Sequence, residues 1–288
     1  SLLAARKIIR QFRPDVAVGV GGYASGPLLE MATRMGIPAL IQEQNSFAGA
    51  TNRLLGAKVQ QICVAFEGME QFFPASKIVL TGNPVRQDLQ QEQMALREQA
   101  LRYFGLKEGK QTILLFGGSL GARTLNRAME AATGLLAVRE GVQVIWQMGK
   151  LYASHSGASE TAGLPNVKAS EFIDRMDLAY AAADLVLCRA GALTIAEIAL
   201  LGKASVLVPS PNVTADHQTK NAMALVDRGA ARLVEDAVAV EQLIPAALAL
   251  LDDAPARANL SREVRHFAWP VAAENIAKAI VALAETKK

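Results

Sequence analysis

Glu197 is a lone carboxylate in an apolar helical pattern. It lies one turn after the small-residue run Cys188-Arg189-Ala190-Gly191-Ala192-Leu193-Thr194. Ala190, Gly191 and Ala192 carry almost no side chain, so a ligand can come close to the backbone there. The free N–H groups of a helix that starts at this point suit an anion. A carboxylate at such a mouth can accept hydrogen bonds from the hydroxyls of a ribose. The same stretch also reads as an ordinary strand-to-helix turn, with a first-turn Glu favoured by the helix dipole.

Other residues of the right type lie at similar places. Gly21-Gly22-Tyr23-Ala24-Ser25-Gly26 follows one apolar run and Gly117-Gly118-Ser119-Leu120-Gly121-Ala122-Arg123 follows another. Both read as cradles between a strand and a helix, and the Ser119 hydroxyl with nearby N–H groups suits a phosphate. The first is neither a dinucleotide fingerprint nor a P-loop. Gln42-Glu43-Gln44-Asn45-Ser46 is a polar run at the end of a strand, where open α/β sheets bind ligands. Asn45 or Ser46 would equally serve as a cap for a helix running to Leu54. Arg86 ends the turn Thr81-Gly82-Asn83-Pro84-Val85-Arg86. The backbone of Glu171-Phe172-Ile173 offers a donor and an acceptor to a base edge. In Asp216-His217-Gln218, His217 is a candidate general base, but a histidine at a helix start reads first as a capping or surface residue. His155 and His266 read as surface or structural residues. There is no Asp-x-Asp pair after a strand, no His/Cys cluster and no HExxH, so no metal site is expected.

The elements that would position these residues alternate along the chain. Helical periodicity spans 2–13, with Leu2, Ala5, Ile9 and Phe12 on one face. Pro14 ends it. Strands are expected at 16–20, 39–41, 61–64 and 77–80, with Pro27 opening the second helix. After a helix at 90–103, the strand pattern resumes at 112–116, 142–147, 166–169, 184–187, 204–208 and 231–234. Helices fall at 176–182, 193–201 (stopped by Gly202), 216–228, 240–251, 255–266 and 271–285. Such alternation is that of doubly wound parallel sheets. The expected division is 1–88, 105–267 and a last helix in 270–288.

The 288 residues are enough for two domains, and 51% hydrophobic with 20% charged residues describes a substantial core. The net charge of +3 is too small to argue for nucleic acid. It is unevenly spread: residues 1–60 hold seven Lys/Arg against three acids. A basic end of this kind favours an anionic membrane surface, though it is also what a solvated helix face looks like. Cys63 and Cys188 lie in apolar runs and read as reduced core residues. No apolar run approaches the roughly 18 residues that span a bilayer.

Taken in order, the motifs resemble the MurG family of peripheral-membrane N-acetylglucosaminyltransferases of peptidoglycan synthesis. They are the Gly-Gly-Tyr-Ala-Ser-Gly-Pro turn, Glu43-Gln44-Asn45, the turn ending at Arg86, the Ser119 loop, Arg189 through Glu197, and Asp216-His217-Gln218 with Asn221. The resemblance covers nearly the whole chain. It implies two Rossmann-like α/β domains facing a cleft, the GT-B arrangement, with the first domain incomplete. It implies UDP-N-acetylglucosamine as donor, the undecaprenyl-linked muramyl-pentapeptide (lipid I) as acceptor, and lipid II as product on the cytoplasmic face of the membrane. No cofactor, metal or nucleic acid is implied.

By the same resemblance, the Ile173 backbone reads uracil and Glu197 holds the ribose. Ser119 with Ala192, Leu193 and Thr194 meets the diphosphate, and Arg86 contacts the nucleotide part. Asn45 and Gln218 contact sugar hydroxyls, while Gly21, Gly22, Tyr23, Ser25 and Glu43 lie on the acceptor or cleft side. Domain 1–88 would face acceptor and membrane, 105–267 would hold the donor, and 270–288 would return to the first domain. The family has a further glycine-rich loop with a histidine, its expected base, that would lie upstream of Ser1. No catalytic residue is therefore assigned within the chain, and weak or absent sugar transfer is expected. Other readings are another GT-B UDP-sugar transferase, a UDP-N-acetylglucosamine 2-epimerase, and a non-catalytic UDP-sugar-binding module. The acidic and histidine residues the epimerase needs are not apparent.

Overall fold

The computed structural model describes residues 1–90 and 93–286. Positions 91 and 92, within the helix expected over 90–103, and 287 and 288, at the end of 270–288, lie outside them. The chain divides into two compact units, one of Ser1–Val85 with Phe267–Lys288 and one of Arg86–His266.

In the first unit, α1 (Leu2–Phe12), β1 (Ala17–Gly19), α2 (Gly22–Arg34), β2 (Ala39–Glu43), α3 (Ala50–Gly56), β3 (Gln61–Val64) and β4 (Ile78–Leu80) follow one another. The strands form a parallel sheet in the order β1-β2-β3-β4. Every residue of β2 is buried, as expected for a parallel strand covered on both faces. Leu29, Ala32, Ile41, Val59, Ile62, Met69 and Phe73 share its core.

Three local expectations are corrected. Helix α2 begins at Gly22, so Pro27 lies inside it rather than at its first position. The proline cannot donate to the Tyr23 carbonyl, and the turn before it is held partly by Ser25 Oγ, which donates to Gly22 O at 3.1 Å. Gly22, at φ 76°, makes the early start possible. Helix α3 is preceded by Gly49, so neither Asn45 nor Ser46 caps it. In α1, Ala5 and Ile9 are buried but Phe12 is 79% exposed.

The second unit contains α4 (Gln93–Phe104), β5 (Gln111–Phe116), α5 (Arg123–Ala131), α6 (Thr133–Ala137), β6 (Val142–Gln147), α7 (Ala153–Ser156), β7 (Val167–Ser170), α8 (Met176–Ala182), β8 (Leu185–Cys188), α9 (Ala192–Leu201), β9 (Ser205–Leu207), α10 (His217–Val226), β10 (Arg232–Leu233), α11 (Ala239–Asp252) and α12 (Ala254–Val264). Its six parallel strands run in the order β10-β9-β8-β5-β6-β7. Leu115 is opposite Trp146 on one side and Leu187 on the other. Chain order reverses between β5 and β8. The turns leaving these two strands, Gly117 to Ala122 and Arg189 to Gly191, therefore diverge to opposite faces and leave a crevice at the carboxyl ends.

Helix α13 (Ala272–Glu285) closes the chain and belongs to the first unit. Gly82, at φ 77°, packs so tightly on Trp269 that an added Cβ would lie 2.2 Å from the Trp269 Cβ.

Candidate functional site

The crevice between β5 and β8 opens into a cavity of about 770 Å³. Three turns line it. The first carries Gly117, Gly118, Gly121 and Arg123, the second Arg189, Gly191 and Thr194, and the third Ser210 to Asn212 with Gln218. Gly121 is at φ 84°, and a Cβ there would meet the Met148 carbonyl oxygen at 2.1 Å. Only glycine allows that approach. Helix α5 starts at Arg123 with no acid in its first turn and no side-chain cap. Helix α9 likewise starts uncapped after Gly191, with Ala192, Leu193 and Thr194 as its first turn. The free N–H groups of both helix starts and the Arg123 guanidinium bring positive charge to this edge, while that of Arg189 is balanced by Asp236, which also lines the cavity.

Arg189 is held rigidly. Its Nη1 donates to Val208 O and Pro209 O, each at 3.1 Å, and to Asp236 Oδ1 at 2.5 Å. Asp236 Oδ2 accepts from Thr124 Oγ1 at 3.1 Å. One carboxylate thus ties the turn after β8 to the start of α5. Gln218 Oε1 accepts from Ser210 N at 2.9 Å, which leaves its amide N–H groups for a ligand.

Glu197 is half-buried on α9. Tyr180 Oη donates to its Oε2 at 2.9 Å. Burial pushes the Glu197 carboxyl above its ordinary value, while the Tyr180 hydrogen bond and the Arg86 charge pull it back. Arg86 is exposed and pairs with Asp88, its Nε donating to Asp88 Oδ1 at 3.0 Å. Ile173 is buried, and its N–H and C=O take no part in the unit's backbone hydrogen bonds among the described residues. Ser119 is exposed at the loop tip, where its carbonyl accepts from Lys150 N at 3.1 Å. The second unit therefore contains Arg86, Ser119, Ile173, Ala192, Leu193, Thr194, Glu197 and Gln218; of these, Thr194 and Gln218 line the cavity itself. His217 Nδ1 lies 2.8 Å from Thr214 O, so Nδ1 donates to the preceding turn; the residue before it, Asp216, is the N-cap, and His217 does not cap the helix.

In the first unit, Glu43 is buried and both its oxygens are occupied. Oε1 accepts from Asn45 N at 3.1 Å and Asn45 Nδ2 at 3.3 Å, and Oε2 from Gly49 N at 2.9 Å and Asn52 Nδ2 at 2.8 Å. Glu43 thus shapes the loop that carries Asn45. Gly21 and Gly22 take φ 87° and 76° at the end of β1, and Tyr23 is 94% exposed. Sequence reasoning missed Arg123, Thr124, Tyr180 and Asp236. The tyrosine had a signal, as a polar ring in an alanine-rich buried run; Asp236 had none.

Two parallel α/β units, with small-residue turns at the strands' carboxyl ends, define a Rossmann-like nucleotide-binding fold of GT-B type. Residues 1–64 match the glycosyltransferase family 28 N-terminal domain and residues 112–278 its C-terminal domain. The chain is 56% identical over 283 residues to the UDP-N-acetylglucosamine–N-acetylmuramyl-(pentapeptide) pyrophosphoryl-undecaprenol N-acetylglucosamine transferase of Bacteroides fragilis, covering 98% of this chain and 74% of that one. It is 55% identical to the protein of the same name from Parabacteroides distasonis, covering 100% and 78%. The crystal structure of Acinetobacter baumannii MurG superposes with a TM-score of 0.77 at 32% identity, covering 98% of this chain and 78% of that one. The chain belongs to the MurG family of glycosyltransferase family 28.

Proposed function

We propose that the protein is an inverting hexosyltransferase that moves N-acetylglucosamine from UDP-N-acetylglucosamine to lipid I, giving lipid II for peptidoglycan synthesis. The observation that carries this is the crevice between β5 and β8. It puts uncapped helix starts, two arginines and a glycine loop around one cavity, and Glu197 lies on α9 one turn beyond Thr194, which lines it. In the assigned donor site, the Ile173 backbone faces uracil and Glu197 accepts from the ribose hydroxyls. Ser119 and the first turn of α9 meet the diphosphate with Arg86, and Gln218 contacts sugar hydroxyls. Gly21, Gly22, Tyr23 and Ser25 are assigned to the acceptor side, with Glu43 acting through its loop.

In the reaction the acceptor hydroxyl attacks the anomeric carbon from the face opposite UDP. The bond from that carbon to the diphosphate oxygen breaks, the pair leaves with UDP, and the hydroxyl proton passes to a base. Fixed N–H groups and guanidinium charge stabilise the developing negative charge on the leaving group. His217, engaged with its own turn, is not assigned as that base.

We further propose contact with the inner leaflet of the cytoplasmic membrane through α1. Arg6, Lys7 and Arg10 lie on this helix beside Leu3, Ile8 and Phe12, exposed by 80%, 57% and 79%. Basic and exposed apolar groups on one helix suit an anionic lipid surface.

Calorimetric titration with UDP-N-acetylglucosamine, UDP-glucose and UDP tests the donor assignment, and co-sedimentation with anionic and neutral vesicles tests the membrane face. Selective binding of the N-acetylated sugar and salt-sensitive retention on anionic vesicles are expected. Failure to bind any of the three nucleotides would overturn the reading of the site.

A further inference from the structure

Tyr180 lies on α8, fully buried, with its ring edge-on to Phe116 at a centroid distance of 6.0 Å. Phe116 in turn lines the cavity. The Tyr180 hydroxyl donates to Glu197 Oε2 at 2.9 Å, while Glu197 Oε1 makes no hydrogen bond among the described residues. One oxygen of the carboxylate is thus fixed from below, by a rigid aromatic donor on a different element. The other is left uncommitted. A side chain with three rotatable bonds would otherwise spread over several rotamers.

We infer that Tyr180 is a positioning residue for the donor: its buried hydroxyl holds the Glu197 carboxylate in the orientation that the ribose hydroxyls need. The inference rests on the reading of Glu197 as the ribose acceptor.

The hydroxyl has a second effect on the same carboxylate. The groups that face Glu197 are Tyr180 from α8, Cys188 from β8, and Arg86 with Asp88 from the segment before α4. Burial and Asp88 favour the neutral acid, and Tyr180 and Arg86 favour the anion. Removing the hydroxyl leaves burial less opposed, so Glu197 takes up its proton at higher pH. A protonated carboxyl is the poorer acceptor for a diol.

The test compares binding of UDP with that of 2′,3′-dideoxy-UDP, by calorimetry across pH, for the unchanged chain, Tyr180→Phe and Glu197→Ala. The unchanged chain is expected to prefer UDP, and Glu197→Ala to lose that preference. Tyr180→Phe is expected to bind UDP about tenfold more weakly, as for a lost hydrogen bond to a charged group. Its affinity for the dideoxy analogue should be unchanged, and its loss of UDP binding on acidification should begin at higher pH. If Glu197→Ala keeps the full preference for UDP, the ribose reading itself fails. If Glu197→Ala loses it while Tyr180→Phe matches the unchanged chain in preference and pH profile, the positioning role fails. Equal weakening of both ligands by Tyr180→Phe would also overturn it, since that marks a merely structural hydroxyl. Should Tyr180→Phe not fold, 2,3-difluorotyrosine at position 180 keeps the ring and strengthens the donor. The acid limb of UDP binding must then move to lower pH, and an unmoved limb overturns the inference.

Discussion

At the scale of the residue, the same side-chain chemistry serves opposite ends according to what surrounds it. Glu43 and Glu197 each stand at or just beyond the carboxyl end of a strand. Glu43 accepts four hydrogen bonds, three from its own loop and one from Asn52 on α3, and is spent on structure. Glu197 accepts one, from Tyr180, and its other oxygen makes none among the described residues. Lys203 shows how burial alone can bias a charge. Its Nζ donates to Ala183 O at 3.0 Å, and burial pulls its pKa down to about 8 from 10.5, against the opposing pull of Asp184. A lysine lowered in this way binds fewer protons folded than unfolded between those two values, so its own contribution to stability rises as pH climbs from about 8 toward 10.5. Cys63, Cys188 and Tyr180, raised by burial, act in the opposite direction in both proteins, so the difference in denaturant unfolding free energy between the unchanged chain and Lys203→Met isolates the lysine and should rise with pH across this window. Parallel slopes would place the lysine's titration outside the folding equilibrium.

At the scale of the element, the turns that follow β5 and β8 are joined by Asp236, which arrives from just beyond β10. The side chains of Arg189 and Asp236 are only 15% and 21% exposed, so their ion pair is well shielded from solvent. Asp236→Ala removes the pair and the Thr124 bond together and leaves the guanidinium with two carbonyls. A loss of about 2–3 kcal/mol of stability is expected, as for a buried charge that loses its partner. Thermal unfolding and UDP titration should both register it, because the clamp fixes the turn that begins α9. An unchanged melting temperature with unchanged UDP affinity would mean that the carbonyl contacts of Arg189 suffice.

Helix α2 makes a related point about reading elements from sequence. Proline at a first helical position is a sound local rule. The chain overrides it because Gly22 accepts a positive φ and starts the helix five residues earlier. Most of the strand and helix alternation was legible because buried parallel strands are short apolar runs and helices carry their own period. Exact caps were less so, since Asn45 and Ser46 have the right side chains but Asn45 is held by Glu43 and the helix starts only after Gly49.

At the scale of the whole molecule, each unit is a parallel sheet with its own core, and the chain's last segment belongs with its first. The closure of Gly82 on Trp269 shows how tightly that segment is seated. Trp269→Ala should destabilise the first unit by about 2–3 kcal/mol, below the roughly 3–5 kcal/mol of a fully buried aromatic because Trp269 is half-buried. UDP binding in the second unit should persist. Differential scanning calorimetry with and without UDP separates the two: a lowered transition that UDP does not shift, beside one that it does. A variant that lost UDP binding in step with its stability would show instead that the two units unfold together.

The sequence by itself determined two parallel α/β sheets, the glycine and small-residue turns, and the polar residues that follow strands; the first sheet, in the order β1-β2-β3-β4, lacks the reversal of a doubly wound one among the described residues. All of these are local: a run of apolar residues, a glycine and a polar side chain a few positions later are enough to state them. Only the tertiary structure decided which of those residues face a cavity and which are consumed in support. Tyr180 reaches Glu197 across 17 positions, and Asp236 reaches Arg189 across 47. In a parallel sheet, neighbouring strands are separated by whole crossover helices, so the partners that orient a functional group come from distant parts of the chain. Their identity depends on strand order and packing, which no local pattern in the sequence encodes.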